Sequence, residues 1–173
     1  MKKLLFFALL LTFFAGCGFF NKEILVTNPK VNEIYKGVLA KENGEYKRAF
    51  DIFEKASKNG NEIAMYELGR LYFNGLGTQK DYKMALYYFK LAGFNQNSDG
   101  LRAAGQIYEL GLGTRKDIKK AIKFYELAQK MGNNLAIYDL ANLYLDTNDM
   151  PNAKIYFKMA CKSGVKEACE RIK

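Results

Sequence analysis

Histidine and tryptophan are absent from this 173-residue chain, and cysteine, serine and proline are scarce, at three, three and two residues. Without histidine there is no imidazole general base near neutrality, no Ser–His or Cys–His nucleophile pair, and no His-containing zinc or iron site. Three cysteines cannot close a four-thiolate zinc site. The composition therefore removes most familiar enzymes, and no catalytic residue, metal site or cofactor is expected. Lysine is plentiful: it supplies 22 of the 27 basic residues, which stand against 18 acidic ones for a net charge of +9. Hydrophobic content of 49% and aromatic content of 14% suffice for a packed core. The length has room for one domain.

The N-terminus reads as a segment apart. Lys2 and Lys3 precede an apolar run, Leu4–Phe14, interrupted only by Thr12. Such a run rises only ~16 Å as a helix, about half of a bilayer's hydrocarbon core. A basic start, a short apolar stretch and the small residues Ala15 and Gly16 predict an export signal over residues 1–16. The stretch Phe14-Ala15-Gly16-Cys17 resembles the lipobox of bacterial lipoproteins, with phenylalanine where leucine is usual. That resemblance implies cleavage before Cys17 and acylation of its thiol and new amino group. The alternative is an ordinary signal with an incidental cysteine. Residues 17–30 then form a tether. Removing Lys2 and Lys3 leaves 25 basic and 18 acidic residues, or +7. Outside the cytoplasm this surplus points away from nucleic acid and toward anionic lipid, cell-wall polymer or an acidic protein, or simply toward a solvated face.

The other cysteines are Cys161 and Cys169. With Cys17 taken by lipid they remain as an even pair in an oxidising compartment, which suits a disulfide; two free buried thiols are the alternative. On one continuous helix their Cα atoms would lie ~12 Å apart, beyond the about 4.4–6.8 Å a disulfide spans. A bond requires the helix to break between them, and Gly164 is placed to break it.

Internal repetition is the strongest signal. The segment from Ala64 (AMYELGRLYFNGLGTQKDYKMALYYFKLAG) matches that from Gly100 (GLRAAGQIYELGLGTRKDIKKAIKFYELAQ) at a constant offset of 36 residues. Gly69/Gly105, Tyr72/Tyr108, Gly75/Gly111, Gly77/Gly113, Asp81/Asp117 and Ala85/Ala121 superpose. A further copy from Ala136 lacks four loop residues, so Asp149 and Ala153 fall 32 residues after their counterparts. An opening copy runs from about Val31 to Gly60, with Gly37 aligned to Gly69 and Ala49 to Ala85. Apolar spacing within each copy is helical: Leu68, Leu71 and Tyr72 share one face, and Ala85, Tyr88, Phe89 and Ala92 another. Asp81, Asp117 and Asp149 are expected as N-caps, and Pro151 suits a first helical turn. The fold predicted is all-α: antiparallel helix pairs stacked as an α-solenoid, a right-handed superhelix. Its repeats fall at about 31–60, 61–96, 97–132 and 133–164, with a capping helix over 165–173.

The pattern Ala-x-Tyr-x-Leu-Gly-x-Leu-Tyr-x-x-Gly-x-Gly, followed by Asp-x-x-x-Ala-x-x-Tyr-Phe-x-x-Ala, resembles the Sel-like repeat, a longer relative of the tetratricopeptide repeat. The likeness covers residues 31–173. Ala160-Cys161-x-x-Gly164-x-x-x-Ala168-Cys169 is similar to the bacterial cysteine-rich Sel-like proteins, in which such pairs are disulfides joining successive repeats. This chain keeps one pair only. The resemblance implies an interaction scaffold; some cysteine-rich members are described instead as penicillin-binding proteins or weak β-lactamases. The one Ser-x-x-Lys here, Ser163-Gly164-Val165-Lys166, lacks the Ser-Asp-Asn and Lys-Thr-Gly companions of those enzymes, and roughly 0.4 such matches arise by chance at this serine and lysine content.

In tetratricopeptide-type stacks the first helix of each pair lines the concave groove. That correspondence nominates Tyr66, Arg70, Phe73 and Asn74 in one repeat, Arg102, Gln106 and Glu109 in the next, and Tyr138, Asn142 and Asp146 in the last. Arginine and amide groups suit a peptide backbone or carboxylate, with tyrosine packing beside them. Tyr66 and Tyr138 recur in register and equally suit inter-repeat packing. Arg70 and Arg102 do not share a register, so no common arginine clamp is expected. The expected function is a lipid-anchored scaffold at the bacterial cell envelope that binds a peptide or protein; a β-lactam-binding enzyme and a purely structural assembly protein are the alternatives.

Overall fold

In the computed structural model, which describes residues 29–171 (side chains from residue 33), each copy of the repeat becomes a pair of helices. The pairs are α1 (Pro29–Glu42) with α2 (Tyr46–Lys58), α3 (Glu62–Asn74) with α4 (Tyr82–Phe94), α5 (Ser98–Leu110) with α6 (Ile118–Lys130), and α7 (Asn134–Asp146) with α8 (Met150–Lys162). A short α9 (Lys166–Glu170) closes the stack. The architecture is the all-α solenoid that the periodicity predicts. Helix α1 takes in the last two residues of the segment read as a tether; of the cap expected over 165–173, Lys166–Glu170 is helical and residues 172 and 173 lie outside the described residues. The signal segment and Cys17 lie outside the described residues.

Helix starts follow a repeated chemistry. Asp81, Asp117 and Asp149 accept backbone N–H bonds at the start of α4, α6 and α8. Asn61, Asn97 and Asn133 do the same for α3, α5 and α7, each accepting from the N–H three residues on. A side-chain oxygen satisfying an orphan donor stabilises such an end by about 1 kcal/mol. The long loops turn at Gly75 and Gly111, both left-handed at φ 71° and 70°. Two residues on, a Cβ at Gly77 would sit 2.3 Å from the Tyr46 carbonyl oxygen, and one at Gly113 would sit 2.7 Å from Cβ of Tyr82. Each Gly-Leu-Gly loop thus lies directly on the start of the preceding repeat's second helix, where a side chain has no room.

Packing inside the first three pairs depends on a glycine facing an aromatic ring. A Cβ on Gly37 would lie 2.5 Å from the Phe53 ring, on Gly69 2.5 Å from Phe89, and on Gly105 2.7 Å from Tyr125. The last repeat places a fully buried Ala141 at this position, in register with Phe157. Along one edge the repeats carry stacked rings: Tyr72 on Tyr88 at 5.6 Å, Tyr108 on Phe124 at 5.4 Å and Tyr144 on Tyr156 at 5.2 Å. The first repeat has Ala40 and Ile52 there, and Phe50 meets Tyr72 edge-on instead, at 5.4 Å. These rings bury area while adding about 0.5–1.5 kcal/mol per well-oriented pair.

Cys161 and Cys169 are joined by a disulfide with Cα atoms 4.7 Å apart. Helix α8 ends at Lys162, Gly164 turns the chain at φ 95°, and α9 folds back beneath it. Closing so short a loop contributes about 2.5 kcal/mol in the chain-entropy account, exerted on the final cap rather than on the whole stack.

Candidate functional site

The residues nominated on the first helices divide into two groups. Tyr66, Arg70, Phe73, Asn74 and Gln106 line one hollow of about 220 Å³ between α3 and α5, floored by Phe89 and Ala103. Its apolar wall is a chain of rings: Tyr66 lies 5.7 Å from Phe89, and Phe73 lies 6.5 Å from Phe89 and 5.2 Å from Tyr82. Arg70 is exposed, pairs with Glu67 at 3.2 Å and sits 5.9 Å over the Tyr66 ring. Asn74 is exposed and donates to the Arg70 carbonyl at 2.8 Å. Two wider hollows, of about 400 and 700 Å³, lie around Glu33 at the first repeat and share none of these lining residues.

The second group is engaged within the protein. Arg102 forms an ion pair with Asp139 across the gap between α5 and α7. Glu109 accepts a hydrogen bond from the hydroxyl of the fully buried Tyr125. Tyr138 packs at 5.9 Å on Phe157 of its own repeat, as Tyr66 does on Phe89, and Tyr66 also borders Ala103 and Gln106 of the next repeat across the hollow. Asn142 is half-buried and Asp146 exposed on α7; neither reaches the hollow beside α3. Arg70 and Arg102 occupy different registers, as the sequence requires. Glu67, Asp139 and Lys41 were not nominated, yet they complete the pairings: Lys41 of α1 bonds Glu67 of α3 at 2.7 Å. The available signal was register, since Glu67 and Asp139 lie 72 residues, or two repeats, apart.

Electrostatics distinguishes these groups further. Burial raises the Asp139 carboxyl above the ordinary aspartate value, and the Arg102 guanidinium offsets that only in part. Burial also raises Glu109, opposed by the Tyr125 hydrogen bond and reinforced by the charges of Asp139 and Asp146. The Tyr125 hydroxyl is pushed up first by burial and then by Glu109, so it stays a donor. A carboxyl whose folded pKa exceeds its unfolded one binds protons more tightly when folded; its ionisation lowers stability as pH rises through that window. Glu109→Gln keeps an acceptor for Tyr125 and removes the charge. It is expected to raise the melting temperature near neutral pH, with the gain vanishing below the ordinary glutamate pKa in a pH series of thermal melts.

Ser163 caps the end of α8, where its hydroxyl donates to the Ala160 carbonyl at 2.9 Å. It sits in the turn between the bridged cysteines and starts no helix in a cleft.

Stacked helix pairs with short capped turns define a helical-repeat protein of the tetratricopeptide-like class. The family model described as Sel1 repeat matches residues 35–61, 63–93, 98–133 and 134–165, and the chain belongs to the Sel1 repeat family. Among solved structures it is similar to a Sel1 repeat protein from Oxalobacter formigenes, with TM-score 0.77 and 26% identity, covering 90% of this chain and 66% of that one. A protective antigen of uropathogenic Escherichia coli with an SLR fold matches at TM-score 0.76 and 23% identity, over 87% of this chain and 34% of that one. Helicobacter pylori cysteine rich protein B matches at 0.53 and 25%, over 66% of this chain and 98% of that one. The chain thus spans about two thirds of the first of these proteins and about one third of the second. No curated protein matches. Membership carries a repeat scaffold suited to protein–protein interaction.

Proposed function

We propose that the protein is a non-enzymatic scaffold, anchored by lipid on Cys17 at the bacterial cell envelope, that holds a peptide or protein partner on its first-helix face. The observation that carries this reading is the hollow formed by Tyr66, Arg70, Phe73, Asn74 and Gln106. It joins an apolar aromatic wall to a guanidinium and two amides, the combination that grips an extended peptide by side chain and backbone together. Lys2, Lys3, the Leu4–Phe14 run and the lipobox-like Phe14-Ala15-Gly16-Cys17 support export and anchoring.

Affinity capture after crosslinking of intact envelopes is expected to recover a recurrent protein partner, absent with Arg70→Ala/Gln106→Ala. Recovery of none, or equal recovery with that variant, would count against the groove. Cys17→Ser is expected to release the protein from membranes washed in high salt, which removes charge-held protein; unchanged retention after that wash would refute acylation at that residue.

A further inference from the structure

Charge is segregated between the two layers of the stack. Helices α3, α5 and α7 carry two basic and six acidic residues, whereas α4, α6 and α8 carry nine lysines and one acidic residue, Glu126. The second-helix layer of these repeats is therefore at +8 and the first-helix layer at −4. In α2 every basic residue is held by a carboxylate: Lys47 by Asp51, Arg48 by Glu45, Lys55 by Glu33 and Lys58 by Glu54. Of the nine lysines in α4, α6 and α8, Lys120 alone has such a partner among the described residues, Asp117 at 3.2 Å.

Seven of the nine lysines, all but Lys120 and Lys154, form stripes with apolar side chains between them. Along α4 the outward positions are Lys83, Tyr87, Lys90 and Phe94, spaced four, three and four residues apart. The same positions of α6 hold Lys119, Lys123, Glu126 and Lys130. In α8 they hold Pro151, Ile155, Lys158 and Lys162. Tyr87, Phe94 and Ile155 stand 55%, 64% and 52% exposed amid this charge. Three parallel 13-residue helices make a patch roughly 20 Å on each side.

We infer that this second-helix face docks on an anionic lipid surface. Lysine supplies all seven cations of these stripes: it is a compact point charge on a long apolar stem, suited to a field of headgroup phosphates rather than to bidentate readout. Protruding tyrosine, phenylalanine and isoleucine insert at the headgroup–acyl boundary, a role that a nucleic-acid surface gives them only where bases are unstacked. Each lysine brought to such a leaflet strengthens partitioning about fivefold. Docked this way, the protein turns its acidic first-helix layer and the Arg70 hollow away from the membrane. The inference stands on the charge and apolar pattern and does not require acylation of Cys17.

The test is vesicle flotation of the full chain carrying Cys17→Ser. Vesicles of phosphatidylcholine alone are compared with vesicles one-third phosphatidylglycerol, at low and high salt. Neutral vesicles measure whatever the apolar Leu4–Phe14 run contributes without charge. Binding is expected to be much stronger on the anionic vesicles and to fall in high salt. Lys123→Glu is expected to weaken it about tenfold or more. Arg70→Glu makes the same change in net charge on the opposite layer and is expected to leave it within about twofold, with circular dichroism confirming that both variants fold. Equal binding to neutral vesicles, equal losses from the two variants, or tighter binding to duplex DNA of matched charge would overturn the inference.

Discussion

Gly105→Val is expected to destabilise the protein by about 3 kcal/mol or more, and Gly105→Ala by about 1–2 kcal/mol. The direction runs against local propensity, because alanine in place of a mid-helix glycine ordinarily gains about 1 kcal/mol. Here the added Cβ would stand 2.7 Å from Cδ1 and Cε1 of Tyr125 and 3.2 Å from its Cζ. That ring is fully buried, and its hydroxyl is tied to Glu109, so it cannot swing aside without losing a hydrogen bond. Separating α5 from α6 is the remaining relief, and it opens the core around Leu101, Ala104 and Ile107. The reverse exchange supplies the control. Ala141 occupies the same register in the last repeat, so Ala141→Gly removes a buried methyl and frees the unfolded backbone, costing about 1–2 kcal/mol. Denaturant midpoints for the three variants decide the matter. A Gly105→Ala protein as stable as the parent would mean that the helices do not approach this closely.

Arg102→Ala is expected to cost about 2–3 kcal/mol at neutral pH. Removing one member of a buried ion pair typically costs about 3–5 kcal/mol, because the partner charge is left without compensation. The value is reduced here because the Arg102 and Asp139 side chains keep 26% and 15% of their exposure, so solvent screens part of the loss. Burial already holds the Asp139 carboxyl above its ordinary pKa, and loss of the guanidinium raises it further. The folded carboxyl then binds its proton more tightly than the unfolded one, so the deficit is present above the folded pKa and shrinks as pH falls through it. Arg102→Ala/Asp139→Asn is expected to recover most of the lost stability, and the double-mutant cycle measures the coupling directly. A deficit that is independent of pH and not rescued would mean that Arg102 contributes through packing of its stem rather than through its charge.

This second prediction also bears on function. Arg102 was nominated with Arg70 as a ligand-facing cation, because both lie on first helices and outside the glycine and leucine packing positions. Register distinguished them, but register does not reveal that Asp139, 37 residues later, comes within reach of Arg102. Among the described residues Arg70 forms an ion pair only with Glu67, one turn away on its own helix, and its side chain remains 47% exposed. A partner-binding role and a structural role thus fall to two arginines that look alike in the sequence.

The sequence by itself determined the repeat, its period, the helix pairs, the aspartate caps and the place of the break between Cys161 and Cys169. These are local matters: 3.6-residue periodicity, side chains that bond their own backbone, and a glycine that admits positive φ all act within a few residues. Tertiary structure alone decided which side chains remained available. It set the Tyr125 hydroxyl on Glu109, and joined Lys41 to Glu67 and Arg102 to Asp139 between neighbouring repeats. The reason is geometric. An ion pair or a closed packing contact depends on distances between residues 16 to 37 positions apart, and stacking the helices sets those distances.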